Sequence, residues 1–218
     1  MKMKKAIIVT GGRIDSAFCK FYIKKNSKDI QIAVDSGMRY FYEVKENPDF
    51  IIGDFDSVDA EILQYFEQQE GIQWIRLIPE KDDTDTEAAI RLALKEGCTQ
   101  IHILGATGSR MDHMLGNIQL LGIGLEEAAE IFIVDAHNKI RMINKSIQIK
   151  KEEQYGSYVS LIPFTPKVRG LTLKGMKYPL HEYTMVCYNS LGVSNEIVED
   201  VAEISFTEGV LLVLETKD

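Results

Sequence analysis

The chain has 218 residues, and 33 Asp and Glu outnumber 25 Lys and Arg, which gives a formal net charge of −8. With 45% hydrophobic and 27% charged residues, the composition is that of an ordinary globular protein and excludes a disordered or collagen-like chain. The acidic balance argues against nucleic acid or an anionic membrane as a partner, because both attract basic surfaces.

The first 135 residues alternate short β-branched runs with longer helical patterns. The predicted strands are 6–9, 30–34, 50–52, 73–78, 100–104 and 131–134. The predicted helices lie near 15–25, 38–46, 58–69, 84–96 and 112–128. Parallel neighbours need a crossover connection, so this alternation predicts an α/β domain with a six-stranded, mainly parallel sheet.

After residue 135 the pattern changes to short strand-like runs separated by Gly and Pro turn signals. The predicted strands are 138–143, 147–150, 158–162, 171–174, 184–189, 202–206 and 210–215. Seven short strands without a helical period between them predict an all-β, sandwich-like domain or an open barrel. We therefore expect an α/β domain at 1–136 followed by a β-sandwich at 137–218.

The cysteines and the N-terminus bear on the compartment. Cys19, Cys98 and Cys187 form no Cys-x-x-Cys pair and are odd in number, which predicts reduced structural thiols. The apolar run at 6–9 is shorter than the roughly 7–15 residues of a signal-peptide core. No run approaches the ~20 apolar residues of a membrane span. We expect a cytoplasmic protein.

Each strand of the predicted α/β domain runs into a polar turn. The carboxyl ends of parallel strands share one edge, which is where open α/β sheets bind ligands. The acids in these turns are Asp35, Asp54, Asp56, Asp82, Asp83, Asp85 and Asp112. Neighbouring carboxylates repel one another unless a cation lies between them, and oxygen ligands without Cys or clustered His favour Mg²⁺.

Basic residues and glycines lie in the same set of turns. They are Arg13, Lys81 and Arg110, and Gly11, Gly12, Gly105 and Gly108. Glycines let backbone amides approach a phosphate closely, and the cations neutralise its charge. Acids that hold magnesium beside bases and bare amides predict a nucleoside triphosphate site. The chain has neither a P-loop nor a G-x-G-x-x-G after its first strand, which argues against a P-loop kinase or a Rossmann dehydrogenase.

A purely structural explanation exists for each turn taken alone. Residues 84–87 match a capping box, and acids in a first helical turn are favoured by roughly 0.3–1 kcal/mol. Capping explains neither the Asp-x-Asp at 54–56 nor the paired Asp82 and Asp83. His113 and Asn117 are four residues apart and share a helix face, although a lone histidine is more often structural.

Three ordered motifs carry a resemblance to a known family. GDFDS at 53–57, KDDTD at 81–85 and GATGSRMDHMLGN at 105–117 resemble the G-D-x-D-S, K-D-x-T-D and G-x-x-G-x-R-x-D-H patterns of the thiamine pyrophosphokinases, also called thiamine diphosphokinases. The likeness extends through VSLIPF at 159–164 and GLTLKGMKYPL at 170–180 to residues 192–195. It covers essentially the whole chain.

The resemblance implies transfer of the pyrophosphoryl group of ATP to the hydroxyethyl group of thiamine, with Mg²⁺, to give thiamine diphosphate and AMP. It also implies a homodimer with the thiamine site at the subunit interface. By matching position, the implied metal ligands are Asp54, Asp56, Asp82 and Asp85, and the implied catalytic residues are Asp54, Asp82, Asp85 and Asp112. The implied ATP-binding residues are Asp35, Lys81, Gly105, Thr107, Gly108, Arg110, His113 and Asn117. Ser194 and Asn195 are implied at the thiamine pocket, with Tyr178 and Tyr188 as candidates for a stacking ring.

Two alternative functions remain open at this point. Residues 54–58 fit the D-x-D-x-[TV] pattern of Mg-dependent phosphohydrolases and phosphotransferases that form an aspartyl-phosphate. Those enzymes carry the pattern after their first strand, whereas here it follows the third predicted strand. A non-catalytic nucleotide- or thiamine-binding module is the second alternative, and it predicts binding without turnover.

Overall fold

The structure is a computed structural model and describes residues 3–78, 83–108 and 110–218. The chain divides into two compact units, Met1–Ala136 and His137–Asp218. The first unit is α/β and the second is all-β.

The first unit alternates strands and helices in chain order. The strands are β1 (Lys5–Val9), β2 (Ile30–Val34), β3 (Phe50–Gly53), β4 (Gln73–Arg76), β5 (Gln100–Leu104) and β6 (Glu130–Val134). The helices are α1 (Ser16–Lys25), α2 (Met38–Val44), α3 (Ala60–Glu67), α4 (Asp85–Lys95), α5 (Met111–Leu120) and α6 (Gly122–Glu126). A 3₁₀ turn, Asp35–Gly37, follows β2.

These six strands form a parallel sheet in the order β4-β3-β2-β1-β5-β6, which confirms the predicted fold class. Ile8 of the central strand pairs with Ile32 on one side and Ile103 on the other, and all three side chains are buried. Such continuous apolar strands suit a sheet that is covered on both faces. The order reverses between β1 and β5, so the sheet has a topological switch point there.

The helices differ from prediction in one place. The single helix expected near 112–128 is divided into α5 and α6, and α6 begins at Gly122. Gly124 packs so closely that a Cβ there would lie 2.6 Å from the carbonyl oxygen of Ala129. Glycine is a poor helix former, so the paired glycines favour a break at this point. Within the described ranges, no helix combines the length and apolar character that a membrane span requires.

The second unit contains the seven strands expected from the sequence. They are β7 (Asn138–Ile143), β8 (Ile147–Lys150), β9 (Tyr158–Pro163), β10 (Lys167–Lys174), β11 (Leu180–Val186), β12 (Val201–Ser205) and β13 (Leu211–Thr216). Strand β13 pairs antiparallel with β7 and β9, and a second antiparallel sheet has the order β11-β10-β12-β8. Val159 and Val213 of the first group share one buried core with Val168 and Ile204 of the second, which makes the unit a sandwich.

All three cysteines are free thiols, as their spacing predicted. Cys19 and Cys98 are buried, and Cys187 is partly buried. Burial, followed by the charges of Asp15 and Asp135, raises the pKa of the Cys19 thiol to about 12. A thiol with such a pKa stays protonated at neutral pH and is a poor nucleophile, so Cys19 has a packing role.

Candidate active site

A cleft of about 940 Å³ opens in the first unit at the switch point of the parallel sheet. It is lined by the segments that follow β1, β2 and β5, by Ser57 after β3, by the start of α4, and by α5. The lining residues are 10–13, 34–36, 57, 84–87, 105–108, 110, 112–114, 116–117 and 119–120. Turns that are far apart in sequence therefore meet around one cavity.

Two glycine-containing loops, 10–13 and 105–108, are hydrogen-bonded to each other inside this cleft. The amide of Gly12 donates to the carbonyl oxygen of Gly105 at 2.9 Å, and the amide of Arg13 donates to that of Thr107 at 2.7 Å. A Cβ on Gly12 would lie 2.1 Å from the Gly105 oxygen, and Gly105 has a left-handed φ of +72°. Only glycine allows this backbone contact, so both glycines are needed to build the loop pair.

Two side-chain hydrogen bonds hold the 105–108 loop in place. The Thr107 hydroxyl donates to Asp135 Oδ2 at 2.9 Å, and Asn117 Nδ2 donates to the carbonyl oxygen of Ala106 at 2.9 Å. Gly108 approaches the 10–13 loop so closely that a Cβ there would lie 3.1 Å from the Arg13 amide nitrogen. The resemblance implied that Thr107 and Asn117 bind ATP, and what the structure shows is that both fix the loop that borders the cleft.

Asp35 and Asp85 form a hydrogen-bonded pair of carboxyl groups in the cleft lining. The pKa of Asp35 is raised to about 8, first by burial and then by the hydrogen bond and charge of Asp85. The hydrogen bond from the Phe55 amide lowers this pKa and so opposes the shift. With its pKa raised to about 8, the Asp35 carboxyl keeps its proton at neutral pH, which relieves its repulsion with Asp85. A bound cation would remove the repulsion that the proton now relieves.

Asp54 and Asp56 form a second carboxylate pair on the turn after β3. The amide of Asp56 donates to Asp54 Oδ1 at 3.1 Å. The charge of Asp54, followed by its side-chain hydrogen bond, raises the pKa of the exposed Asp56. The Asp54 charge also raises the pKa of Asp35, and the Asp85 charge raises the pKa of Asp56. The two pairs are therefore neighbours, with Asp54 and Asp56 at the rim beside the cleft lining.

The donor chemistry of these pairs fits a hard cation. Mg²⁺ is usually held by one or two carboxylates together with phosphate oxygens and water, so it needs no complete protein cage. Among the described residues, no group of three or more His, Cys, Asp or Glu side chains is arranged to hold a metal ion. Lys81 and Asp82, which the motif also places here, lie outside the described residues.

Arg110 and Asp112 pair with each other at the start of α5. Arg110 Nε and Nη2 donate to Asp112 Oδ1 and Oδ2 at 3.2 and 2.6 Å, and the pair lowers the pKa of Asp112 to about 2. Both side chains are exposed. An exposed ion pair contributes only about 0–1 kcal/mol, so Arg110 can exchange this partner for a phosphate. His113 lies next to the pair and also lines the cleft.

Ser194 and Asn195 lie in the second unit. Asn195 is 7% exposed, and its amide group bonds three backbone groups: Nδ2 donates to Tyr178 O at 2.9 Å, and Oδ1 accepts from the amides of Tyr178 at 3.0 Å and Glu196 at 2.9 Å. Ser194 is exposed and donates its amide to Ser160 Oγ at 3.0 Å. Asn195 therefore fixes the turn that presents the exposed Tyr178 ring.

Sequence reasoning missed several polar residues that line the cleft. They are Thr10, Ser36, Ser57, Thr86 and Glu87. Each lies within three residues of a predicted site residue or of a strand end. The usable signal was therefore position, since polar residues in the segments that follow parallel strands lie at the ligand edge of the sheet.

A parallel sheet with paired glycine loops and carboxylate pairs around its switch-point cleft defines an α/β protein of the nucleotide-binding class. Residues 22–133 match the family described as thiamin pyrophosphokinase, catalytic domain, and residues 144–211 match thiamin pyrophosphokinase, vitamin B1 binding domain. The chain belongs to the thiamine pyrophosphokinase family.

Individual relatives agree with this assignment. Thiamine pyrophosphokinase from Bacillus subtilis is 33% identical over 187 residues, which cover 86% of this chain and 87% of the relative. The crystal structure of the Bacillus subtilis protein matches with a TM-score of 0.88 and 32% identity, over 99% of this chain and 100% of that one. Thiamin pyrophosphokinase from Geobacillus thermodenitrificans matches with a TM-score of 0.85 and 30% identity, over 98% of both chains. Neither alternative function finds support in these matches.

Proposed function

We propose that this chain transfers the pyrophosphoryl group of ATP to the hydroxyethyl oxygen of thiamine, giving thiamine diphosphate and AMP. The observation that carries the proposal is the adjacency of two carboxylate pairs, Asp35 with Asp85 and Asp54 with Asp56, to the glycine loops of the switch-point cleft. Amides and Arg110 bind phosphate on one side of this arrangement, and carboxylates attract cations on the other.

In the proposed reaction, the hydroxyl oxygen of thiamine attacks the β-phosphorus of ATP. The bond from that phosphorus to the oxygen bridging the α- and β-phosphates breaks, and AMP leaves with the electron pair. The hydroxyl proton passes to a carboxylate, for which Asp54, Asp82, Asp85 and Asp112 are the candidates. When bound, Mg²⁺ neutralises phosphate charge. Its proposed ligands are Asp54, Asp56, Asp82 and Asp85.

The remaining matched residues bind and orient ATP in this proposal. Phosphoryl transfer depends mainly on position and charge, so the rigid 105–108 loop is the central element. Gly105 and Gly108 bring backbone close to the phosphates, while Thr107 and Asn117 hold the loop. Further proposed contacts to ATP come from Asp35, Lys81, Arg110 and His113.

We further propose a homodimer that completes the thiamine site with Ser194 and Asn195. Helix α5 supports a second copy as partner, because it contains no fully buried residue although it carries several large apolar side chains. Met111 and Leu115 are 58% and 55% exposed. Exposed apolar side chains gathered on one element mark an interaction surface. The three free thiols support a reducing compartment, and we place the reaction in the cytoplasm.

The test of the proposed function is the identity of the nucleotide product. With Mg-ATP and thiamine, we expect AMP and thiamine diphosphate to appear in equal amounts, with no AMP when thiamine is omitted. Chromatography of the nucleotides and of thiamine esters measures both. ADP as the product would refute pyrophosphoryl transfer, and binding of ATP and thiamine without turnover would favour a non-catalytic module.

Replacing Asn195 with alanine should destabilise the second unit by about 1–3 kcal/mol, because partly buried backbone groups of Tyr178 and Glu196 lose their partner. If the turn bearing Tyr178 contacts thiamine, the variant also raises the KM for thiamine and leaves that for ATP unchanged. Thermal denaturation and steady-state kinetics measure the two effects. A matched control is Ser190→Ala, on an exposed residue of the same unit. An Asn195→Ala protein as stable as its parent would contradict the structural role.

A further inference from the structure

Phe55, between the carboxylates Asp54 and Asp56, has an unusual backbone. Its φ is +64°, in the left-handed region that residues with a Cβ seldom adopt and only at a cost in free energy. The residue is nevertheless only 6% exposed. Strain of this kind persists when surrounding contacts fix it, and it is common at functional sites.

The contacts that fix Phe55 come from β4. The Trp74 ring meets the Phe55 ring edge-on, with centroids 5.5 Å apart and planes at 74°. The Arg76 guanidinium lies over both rings, with its Cζ 5.3 Å from the Phe55 centroid and 5.5 Å from that of Trp74. Arg76 Nη2 is in turn 2.8 Å from Glu67 Oε1. We call Phe55, Trp74 and Arg76 the Phe55 clamp.

The register of the sheet explains why these residues meet. Arg76 pairs with Gly53, the last residue of β3, so it lies directly beside the start of the acidic turn. Trp74 is two positions earlier on β4, and residues two apart point to the same face of a strand. Edge-to-face ring pairs and guanidinium–ring contacts are both attractive. The clamp thus anchors the turn from the neighbouring strand.

The backbone of Phe55 connects the clamp to the carboxylates. Its amide donates to Asp35 Oδ1 at 3.4 Å, and its carbonyl oxygen accepts from the amide of Val58 at 3.4 Å. The next amide, that of Asp56, donates to Asp54 Oδ1. Fixing the Phe55 ring therefore fixes the directions of both flanking carboxylates and their contact with the Asp35 pair.

We propose that the Phe55 clamp positions Asp54 and Asp56 for a divalent cation. Phe55, Trp74 and Arg76 are positioning residues in this proposal, since they act through the carboxylates rather than on the substrate. The proposal rests on the proposed function, which places Mg²⁺ at this rim. Loss of the clamp weakens cation binding more than it weakens folding, because the left-handed turn can relax while β3 and β4 stay paired.

The experiment measures cation binding without catalysis. Mn²⁺ alone, without nucleotide, is titrated into the full chain, and the free ion is counted by electron paramagnetic resonance, since Mn²⁺ accepts the same oxygen ligands as Mg²⁺. We expect one Mn²⁺ site that depends on the carboxylates, and we expect Mg²⁺ to displace Mn²⁺ from it. Trp74 is the only tryptophan of the chain, so its emission should change over the same range of Mg²⁺.

Variants separate positioning from packing. Arg76→Met should weaken Mn²⁺ binding about fivefold or more with a nearly unchanged melting temperature, because the Arg76 side chain is 57% exposed. Trp74→Leu should weaken it about tenfold, and Trp74→Phe, which keeps a ring, should stay within about twofold of the parent. The matched control is Arg169→Met, which removes another exposed arginine with one acidic partner and should leave Mn²⁺ affinity unchanged.

Each outcome decides the proposal. If Arg76→Met and Trp74→Leu fold and bind Mn²⁺ as tightly as the parent, the clamp only packs the core and does not position the carboxylates. If Trp74→Leu fails to fold, the result for Arg76→Met decides. A parent protein that forms AMP with thiamine but binds no Mn²⁺ alone would overturn the clamp and leave the proposed function standing. The opposite outcome is also possible: the parent forms no AMP with thiamine, and the variants bind Mn²⁺ more weakly than the parent. That result would support the clamp and reject the proposed function.

Discussion

Asparagine in place of Asp54 or Asp85 should lower the turnover of thiamine-dependent AMP formation by about 10²–10³-fold. Each substitution keeps the shape of the side chain and removes one negative charge from a different carboxylate pair. A cation held by few protein ligands loses much of its affinity with each charge removed. We therefore also expect the Mg²⁺ concentration for half-maximal rate to rise. Steady-state rates over a range of Mg²⁺ measure both effects.

The control for these variants is Asp59→Asn. Asp59 lies on the same connection between β3 and α3, but its carboxylate forms an exposed ion pair with Arg39 and makes no side-chain hydrogen bond to the helix start. Its replacement should change turnover by less than twofold, because exposed ion pairs contribute little. Asp54→Asn and Asp85→Asn proteins that fold and turn over within threefold of the parent would remove these residues from the metal site.

The alternation of strands and helices was sufficient to predict the α/β fold, because a buried parallel strand has a nearly continuous apolar run. Phe50–Gly53 and Glu130–Val134 have this character, and both are strands where the sequence predicted them. The order of the strands was not predictable from the same pattern. The placement of β5 beside β1 depends on packing between distant segments, and that placement creates the switch-point cleft.

In the second unit, Gly170 shows how a local signal can mislead. Its position favoured a turn, with a strand beginning at residue 171, whereas β10 begins at Lys167 and runs through the glycine. Gly170 has a left-handed φ of +65°, and the pairing of β10 with β11 shifts register between Val168 and Leu171. The glycine marks an irregularity inside a strand, and turn statistics cannot distinguish that case from a chain reversal.

At the candidate site, the sequence placed Asp35, Asp54, Asp56 and Asp85 at one edge of the sheet but did not predict which of them would pair. Arg110 was expected at phosphate, and in the structure it pairs with Asp112 two residues away. The left-handed backbone of Phe55 was invisible because an aromatic residue at a turn carries no such signal. Partner choice depends on strand order and on loop dihedral angles, and both are set by tertiary packing.

Replacing Asp35 with asparagine should stabilise the metal-free protein at pH 8 by about 1–2 kcal/mol, or about 2–8 °C in melting temperature. The pKa of Asp35 is about 8 in the folded chain against 3.8 for the free group. Between these values the folded state binds more protons than the unfolded state, so this group lowers stability as the pH rises. Asparagine has no charge to bury and tolerates the left-handed φ of 44°.

The pH dependence separates this effect from an ordinary gain in packing. The stability difference between Asp35→Asn and the parent should approach zero below about pH 3, where the Asp35 carboxyl is protonated in both states, and should grow until about pH 8. Thermal unfolding in a chelating buffer measures it, with Asp200→Asn as the exposed control. Added Mg²⁺ should stabilise the parent more than the variant, because a cation relieves a repulsion that only the parent has. A difference independent of pH would show that burial of the Asp35 charge is not its cause.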